Sequence, residues 1–513
     1  MASKSRLFRF ERNIVQKSLF RKACSETLVQ KRSIRNAGNL KPKTRNPKLA
    51  TSPSRAAAFD ILLRVERESS YASELLHSVA YERLSISDHA LTTELVMGVL
   101  RWRSRLDAEI AKVSSQPPRR LDLEVLIALR IGVYQLRWLD RIPVRAAIHE
   151  SVELVKRALK RSAAPFVNAL LRRLSESVHQ PPLKPPGRED LSNEDLSNED
   201  LNAEDLRVED LAREFAHPLW LVERWTKQYG LASTIKICEY DQTVPVTAIR
   251  LSRSAAEGEL RDSGVKLGPG KLLASATRIR SGDITKTQAF ARGEIVIQDE
   301  ASQLVAALVG NGKQILDCCA APGGKTLAIA GRNPRAQIIA ADLHPHRARL
   351  LYRLTHGDNT HASNTRVITA DACDLPFSNK FDRVLADVPC SGTGTLARNP
   401  EIKWRVTPED LADLHARQLA ILRSALTSVA AGGRVIYSTC SLEKEENENV
   451  VERALAEDKS FAVFDCRVEL ERLKLEGESV WSDTASLASG PYLRTLPGVH
   501  PCDGFFAAIL EKI

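Results

Sequence analysis

The sequence predicts a multidomain protein in which an all-α amino-terminal domain precedes an α/β domain built on a doubly wound, mostly parallel sheet. Between residues 52 and 178 the apolar side chains recur almost throughout with the 3.6-residue period of a helix. From residue 313 onward, short β-branched strands alternate with helical segments, which is the pattern of a parallel sheet covered by helices. The 513 residues, 43% of them hydrophobic, suffice for several cores.

The positive charge of the chain is concentrated at its amino terminus. The formal net charge is +10, yet residues 1–50 hold fourteen Lys or Arg against Glu11 and Glu26, so the tail carries +12 and the remainder −2. The segment lacks the apolar core of a secretory signal. We interpret residues 1–51 as a disordered arm that attracts RNA, with an organellar transit peptide as the alternative.

Composition also limits the compartment and the chemistry. No stretch approaches the roughly 18 unbroken apolar residues of a membrane span, so we expect a soluble, cytoplasmic protein. The nine cysteines show no C-x-x-C spacing, which disfavours both a disulfide framework and a zinc site. We therefore expect free thiols and no metal, and a monomer is the default oligomeric state.

The helical region, residues 52–178, begins with clear signals. "SPSRAAAFDILLRVERES" places Ser52 as the N-cap and Pro53 at the first helical position. "LDLEVLIALRIGVYQLRWLDRIP", "RAAIHESVELVKRAL" and "APFVNALLRRL" repeat the helical period. The apolar face predicted for the first helix carries Ala58, Ile61, Leu62 and Val65.

Five arginines of this region have two interpretations. They could contact RNA phosphates, although arginines on an amphipathic helix more often form its solvated face. These residues are Arg101, Arg103, Arg105, Arg172 and Arg173.

Two shorter segments separate the helical region from the large α/β domain. Residues 179–211 repeat Glu-Asp-Leu every five residues, a period that gives a helix no continuous apolar stripe. We interpret them as an acidic linker or a loose helix. Residues 212–300 mix helix and strand signals, including "VPVTAIRLSR", and predict a small α/β subdomain. Residues 301–513 form the large domain.

The first strands of the large domain end in acidic residues. In "KQILDCCAAPGGKT" a strand ends in Asp317, and a loop with Gly323 and Gly324 leads into a helix. Such a loop lets the backbone approach a nucleotide-like ligand. It departs from the phosphate-binding G-x-x-x-x-G-K-[ST] pattern. The next strand ends in Asp342, close to where an acidic residue holds ribose hydroxyls in dinucleotide folds.

The later strands bring two thiols to the same edge of the sheet. "TRVITADACDLP" ends in Asp371, and "FDRVLADVPCSGTG" ends in Asp387 and Cys390. "GGRVIYSTCS" ends in Cys440, which precedes an acidic stretch predicted to be a helix. One acid at a strand end could simply cap a helix, but three acids and two thiols at one edge favour a catalytic site. The spacing does not decide which thiol is the nucleophile.

Three of these segments resemble motifs of the Nop/Sun family of RNA cytosine-5 methyltransferases. "DCCAAPGGKT", "ADVPCSGTG" and "YSTCSLEKEENENVV" are similar to its S-adenosylmethionine, catalytic and nucleophile motifs, and "QDEASQLVA" and "HPCDGFFAAIL" also match. The helical region resembles the NusB-like RNA-binding domain. The resemblance implies a NusB-like domain followed by a Rossmann-like class I methyltransferase domain. Bacterial members with this architecture modify small-subunit (16S) ribosomal RNA, naked or partly assembled.

The resemblance also implies catalytic roles. Cys440, in the Thr-Cys motif, would add to C6 of cytosine, and Cys390, in the Pro-Cys motif, would assist proton removal and release. Asp387 would hydrogen-bond the N3 and N4 edge of the ring, and Lys325 would orient Asp387 or balance its charge.

The cofactor implied is S-adenosyl-L-methionine. Asp342 would hold its ribose hydroxyls and Asp371 its adenine amine, while Cys318 is interpreted as a structural thiol. The cofactor-binding residues implied are Cys319, Ala320, Ala321, Pro322, Gly323, Gly324, Lys325, Asp342, Asp371 and Asp387.

Other functions stay open from the residues alone. An adenine-N6 or protein-amine methyltransferase would share the cofactor fold, but the fourth strand ends in "DVPC" and lacks the expected Asp/Asn-Pro-Pro-aromatic motif. An RNA-binding or ribosome assembly factor would not need both thiols. A methyltransferase acting on another RNA is a further alternative, and a role in antitermination rests on fold analogy alone. The segment 471–490 has no assigned role.

Overall fold

The computed structural model describes residues 51–81, 83–176, 201–252, 254–357, 362–378 and 380–513. Residues 1–50 of the predicted tail and residues 179–200 of the acidic repeat lie outside the described residues. The chain divides into two units, Met1–Val222 with Asn399–Glu401 and Glu223–Arg398 with Ile402–Ile513. Among the described residues, no helix combines the length and the hydropathy needed to cross a membrane.

The described part of the first unit is built from helices and short 3₁₀ turns, as the periodicity predicted. Helix α1 (Pro53–Glu68) starts where expected, but the Ser52 side chain does not cap it. Instead, the backbone N–H and the hydroxyl of Ser52 donate to Glu150 Oε2 at 2.9 and 3.3 Å. The other helices are α2 (Ala72–Leu76), α3 (Ile86–Arg101), α4 (Arg103–Val113), α5 (Leu123–Trp138), α6 (Val144–Arg157), α7 (Ala164–Glu176) and α8 (Leu201–Glu214).

Helix α5 lies at the centre of this unit. Its residues from Val125 to Gln135 are all buried, because α1, α3, α6 and α7 pack around it. The apolar face predicted for α1 is buried in the same core. Helix α3 crosses α5 at Gly98, where an added Cβ would lie 2.0 Å from Tyr134 Cζ. The missing side chain therefore sets the distance between the two helices.

We expect Gly98→Ala to destabilise the helical unit by about 1–3 kcal/mol, the usual cost of overpacking a core. The Tyr134 ring cannot move away freely because its hydroxyl donates to Glu94 Oε1 at 2.6 Å. Gly258→Ala is the matched control, since an added Cβ there meets no atom within 4 Å. Thermal unfolding of the full chain measures both variants. A Gly98→Ala midpoint no lower than that of Gly258→Ala would contradict the packing argument.

The arginines at the junction of α3 and α4 serve the fold, which neither sequence interpretation anticipated. Arg101 is buried. Arg103 pairs with Glu66 at 3.1 Å, and Arg105 donates to the backbone carbonyl of Glu214 at 2.8 Å. Intramolecular partners on other helices hold the side chains of Arg103 and Arg105. The other two, Arg172 and Arg173, are exposed on α7.

The second unit opens with helices and a small antiparallel sheet. Within the described residues its four strands follow the order β2-β3-β1-β4. The strands are β1 (Ala248–Leu251), β2 (Lys266–Pro269), β3 (Ala276–Ser281) and β4 (Ile295–Ile297). The helices are α9 (Leu219–Tyr229), in which the chain passes between units, α10 (Leu231–Asp241), α11 (Ser254–Asp262) and α12 (Gln288–Ala291).

A large sheet forms the rest of the unit, and its parallel half confirms the doubly wound fold. In the described residues nine strands join, in the order β11-β12-β13-β9-β8-β5-β6-β7, with β10 paired to β13. The parallel strands are β5 (Gln314–Asp317), β6 (Gln337–Asp342), β7 (Thr365–Thr369), β8 (Phe381–Asp387) and β9 (Val429–Thr439). The antiparallel strands are β10 (Phe461–Phe464), β11 (Ala488–Ser489), β12 (Tyr492–Thr495) and β13 (Phe505–Lys512).

Helices flank this sheet and cover its apolar faces. Strands β5 and β8 are buried at their centres, as expected for strands enclosed by helices on both faces. The helices are α13 (Glu300–Leu308), α14 (Gly324–Arg332), α15 (Pro345–Thr355), α16 (Asp410–Thr427), α17 (Glu448–Glu457) and α18 (Cys466–Leu475).

The segment 471–490 belongs to the large domain and contacts the loop between β2 and β3 of the small sheet. It contains the end of α18 and the edge strand β11. The carbonyl of Glu478 accepts from Ala274 N at 2.8 Å, and Val480 N donates to the carbonyl of Leu272 at 3.0 Å. The segment therefore contributes to the packing of the small sheet's loop against the large domain.

Candidate active site

The two thiols predicted at the strand ends lie side by side. Cys390 follows β8 and Cys440 follows β9, and these strands pair in parallel with Asp387 opposite Ser438. This register brings Cys390 Sγ within 3.2 Å of Cys440 Sγ. The backbone N–H of Cys440 also donates to Cys390 Sγ at 3.3 Å. Both side chains are free and partly exposed, so a substrate can reach the pair.

A buried carboxylate, Glu446, ties together the two loops that carry the thiols. Its Oε1 accepts from Ser391 N at 2.8 Å, and its Oε2 accepts from the hydroxyls of Ser391 and Ser441. Gln418 Nε2 donates to Oε1 at 2.8 Å. Each serine directly follows one of the cysteines. The contacts of Glu446 with both serines therefore hold the two cysteine loops at a fixed distance from each other.

A second charged group borders the thiols. Lys325 Nζ donates to Asp387 Oδ2 at 2.8 Å, and Ser438 Oγ donates to Asp387 Oδ1 at 2.7 Å. Lys325 also lies over the Phe505 ring, 4.9 Å from its centroid. The carboxylate is thus held at both oxygens, and its orientation at the end of β8 is fixed.

The surroundings raise the pKa of both Lys325 and Cys390, for different reasons. Burial opposes the charge of Lys325, but the attraction of Asp387 outweighs it, and the pKa of the ammonium is raised. The hydrogen bond with Cys440, followed by burial, raises the pKa of Cys390 well above its ordinary value. Cys390 therefore keeps its proton in the resting protein, with its sulfur in hydrogen-bonding contact with the sulfur of Cys440.

The loop between β5 and α14 has the close-packed geometry expected of a ligand-binding turn. Its Ala321–Pro322 peptide bond is cis, and Gly323 has φ of 120°. An added Cβ at Gly323 would lie 2.8 Å from Leu351 Cδ1. The backbone conformation therefore favours glycine here, and the Leu351 side chain would have to shift to admit another residue. The pKa values of Cys318 and Cys319, at the base of the loop, are raised by burial.

The acidic strand ends differ in their surroundings. Asp342 is buried at the end of β6, accepts from His344 N at 3.0 Å and lies 3.6 Å from Arg347 Nη2. Asp371 is exposed after β7 and accepts from Cys373 N at 2.9 Å. Asp317 accepts from Thr326 Oγ1 at 2.7 Å, and burial raises its pKa to about 7.

The structure therefore brings together Cys390, Cys440, Asp387 and Lys325, while Asp342 and Asp371 lie farther along the same sheet edge. Glu446 and Ser438 were not among the predicted site residues. Glu446 stands among four glutamates between residues 443 and 448, and its contacts with Ser391, Ser441 and Gln418 distinguish it. Ser438 could have been found from the register, since it lies two residues before Cys440 on an alternating strand.

The architecture and the groups at the carboxyl edge of the large sheet define the class of protein. A doubly wound sheet with a glycine loop after its first strand and charged groups at its carboxyl ends has the fold of Rossmann-like methyltransferases, here in one chain with a helical domain. The comparisons agree with this description. The model for the 16S rRNA methyltransferase RsmB/F family matches residues 305–511, and the NusB family model matches residues 52–176.

Full-length relatives support the same assignment. The probable ribosomal RNA small subunit methyltransferase B of Bacillus subtilis (strain 168) is 32% identical over 468 residues, covering 89% of this chain and 98% of that protein. Ribosomal RNA small subunit methyltransferase B of Salmonella arizonae is 30% identical, covering 84% and 92%. The crystal structure of PH0851 shares the fold, with a TM-score of 0.70 at 22% identity over 90% of this chain and 100% of the other. The chain belongs to the RsmB family of ribosomal RNA small subunit methyltransferases.

Proposed function

We propose that this protein transfers a methyl group from S-adenosylmethionine to C5 of a cytosine in 16S rRNA, with Cys440 as the nucleophile. The observation that carries the proposal is the 3.2 Å separation of Cys390 Sγ and Cys440 Sγ beside the Lys325–Asp387 pair. Family membership supports small-subunit rRNA as the substrate. The NusB-like unit would contribute to binding that RNA.

Carbon C5 of cytosine is a weak nucleophile, and the addition of a thiol to C6 makes it more reactive. The sulfur of Cys440 forms a bond to C6, and the electrons of the C5–C6 double bond make C5 nucleophilic. Asp387 would hydrogen-bond the N3 and N4 edge of the ring, and Lys325 would hold Asp387 in that orientation. S-adenosylmethionine, when bound, supplies an electrophilic methyl group on a sulfonium.

Cys390 then completes the cycle. In the adduct the sulfur of Cys440 is a thioether and a weak hydrogen-bond partner, so the largest influence that raises the pKa of Cys390, its hydrogen bond with Cys440, is lost. Cys390 can release its proton to solvent and take the proton from C5. The C5–C6 double bond re-forms, the C6–S bond breaks, and the new S–H of Cys390 donates to the departing sulfur of Cys440.

The described residues fit the cofactor. The buried Asp317 Oδ1 has no hydrogen-bond partner in the described part of the chain, and it lies under the loop that begins at Cys319. A carboxylate there would suit the positively charged amino group of the methionine end. The backbone of residues 319–325 would hold that end, Asp342 the ribose hydroxyls, and Asp371 the adenine amine.

Asp387→Asn is expected to lower kcat by about 100-fold, the usual effect of losing one pre-organised polar group at a reacting centre, with little change in KM for RNA. The amide keeps the shape of the side chain but loses the ion pair with Lys325. Asp382→Asn is the matched control, because Asp382 lies at the other end of the same strand and binds backbone N–H groups of Lys313 and Gln314. Steady-state methyl transfer measures both. Equal kcat values for the two variants would remove Asp387 from the chemistry.

Nucleoside analysis of the product tests the proposal. The wild-type protein is incubated with transcribed 16S rRNA and S-adenosylmethionine, and the RNA is digested to nucleosides. We expect 5-methylcytidine and no other new methylated nucleoside. Methyl-adenosine would overturn the assignment of the base, and methylation confined to a different RNA would overturn that of the substrate. Binding without methylation would instead indicate an assembly factor.

A further inference from the structure

A basic cavity lies between the small sheet and α14. Its volume is about 390 Å³, and Arg250, Ser252, Ser275, Gly331, Arg332 and Glu478 are among its lining residues. Arg250 comes from β1, Arg332 ends α14, and Glu478 belongs to the 471–490 segment. None of these residues takes part in the mechanism proposed above.

The charges in this cavity are unbalanced. Glu478 accepts from Arg332 Nη2 at 2.9 Å and from the hydroxyl of Ser275, so it neutralises Arg332. Arg250 has no corresponding anion, and its Nε is buried without a hydrogen-bond partner among the described residues. Burial, followed by repulsion from Arg332, lowers the pKa of Arg250 to about 10. The side chain is still charged at neutral pH, and the cavity carries one unpaired positive charge.

The position of the cavity indicates which anion it would receive. It shares Gly293, Val296 and Leu327 with a neighbouring cavity of about 640 Å³, so the two form one cleft. The second cavity reaches Pro322 and Gly324 of the predicted cofactor loop. Arg292 and Arg353 also line it. The cleft thus leads from the unpaired arginine to the predicted cofactor loop.

We propose that Arg250, beside the Arg332–Glu478 pair, binds a backbone phosphate of the substrate RNA, in a subsite that positions the strand leading to the active site. A guanidinium recognises phosphate oxygens through paired N–H groups, and such contacts fix register without reading sequence. Gly331 leaves room for the group, since an added Cβ there would meet only Arg250 Nη1, at 3.8 Å. This inference rests on the proposed activity on RNA.

Salt-dependent RNA binding tests the subsite. The dissociation constant of transcribed 16S rRNA is measured at several KCl concentrations for the wild type, Arg250→Gln and Arg250→Lys. We expect Arg250→Gln to weaken binding about tenfold at low salt and to reduce the slope of log K against log salt by about 1, and Arg250→Lys to keep the slope. KM for RNA should rise with kcat unchanged.

Arg366→Gln is the control, because it removes the same charge from an exposed position on β7. Equal losses in Arg366→Gln and Arg250→Gln, or unchanged binding in Arg250→Gln, would overturn the subsite. Thermal unfolding checks that Arg250→Gln is folded, and we expect its midpoint to be no lower than that of the wild type, since the variant removes a partly buried charge that has no ion-pair partner among the described residues.

Two further results are informative. One distinguishes RNA from a small anion as the source of the phosphate, and the other distinguishes the subsite from the proposed methyl transfer. If inorganic phosphate stabilises the wild type but RNA affinity is independent of Arg250, the ligand is a small anion and the RNA assignment fails. If the wild type binds RNA with the expected Arg250 dependence but does not methylate it, the subsite stands and the proposed activity fails.

Discussion

Cys440→Ser is expected to abolish methyl transfer, with a loss of about 10⁴-fold or more, and to form no covalent complex with RNA. A serine hydroxyl is a far weaker nucleophile than a thiolate, and the first bond to C6 would not form. Cys390→Ala is expected to do the opposite: it should form the Cys440 adduct and fail to release it. The readout is a denaturing gel of labelled 16S rRNA after incubation with S-adenosylmethionine.

The gel shows which cysteine becomes attached to the RNA, which a loss of activity alone would not show. A slow-migrating protein–RNA band in Cys390→Ala that disappears in the Cys390→Ala/Cys440→Ser double variant identifies Cys440 as the attached residue. Cys390→Ser restores a hydrogen-bond donor of similar size next to Cys440, so it should accumulate less of the band than Cys390→Ala. Cys373→Ala, which removes an exposed thiol, is the control and should behave like the wild type. A band from Cys440→Ser alone would reverse the assignment of the two thiols.

The strand ends were predictable because a buried parallel strand has a strong local pattern. Asp317, Asp342 and Asp387 end β5, β6 and β8 as expected, since runs of β-branched and apolar residues stop at these positions. Parallel pairing then brings every carboxyl end to one edge, so the meeting of Cys390 with Cys440 follows from topology. The distance between their sulfur atoms does not follow from topology, because it depends on the loops after the strands.

Other features depended on contacts that are distant in sequence. The predicted helix after Cys440 begins only at Glu448, because a 3₁₀ turn at Lys444–Glu446 turns the Glu446 side chain inward. Strand β13 has the pattern of an ordinary buried strand, and its antiparallel insertion between β9 and β12 depends on pairing with β9, which is distant in sequence. Arg103 looked like a surface cation because its partner, Glu66, lies on another helix. The sequence pattern identifies a helix or a strand, whereas the role of a charged side chain depends on partners that lie elsewhere in the chain.

Glu446→Ala is expected to lower both stability and activity, because it leaves several buried donors without an acceptor. Ser391 N, Ser391 Oγ, Ser441 Oγ and Gln418 Nε2 all donate to this fully buried carboxylate. Loss of a shared buried partner costs about 3–5 kcal/mol, and we expect thermal unfolding to shift down by several degrees. The loops after β8 and β9 would then no longer hold the two sulfurs at a fixed separation.

Glu446→Gln separates this positioning effect from general instability. The amide keeps the size of the side chain but has one acceptor oxygen in place of two, so it cannot accept both from the serine hydroxyls and from Ser391 N and Gln418 Nε2. The Ser391 and Ser441 loops should therefore lose part of their common anchor while the fold survives. We expect kcat to fall by about 10- to 100-fold, with KM for RNA nearly unchanged, since a misplacement of about 1 Å at a reacting group has effects of this size. Glu452→Gln, on the exposed face of α17, is the control. If Glu446→Gln retained full kcat, the spacing of the thiols would have to be set by the strand register alone, and the carboxylate would be a stabilising group with no part in the reaction.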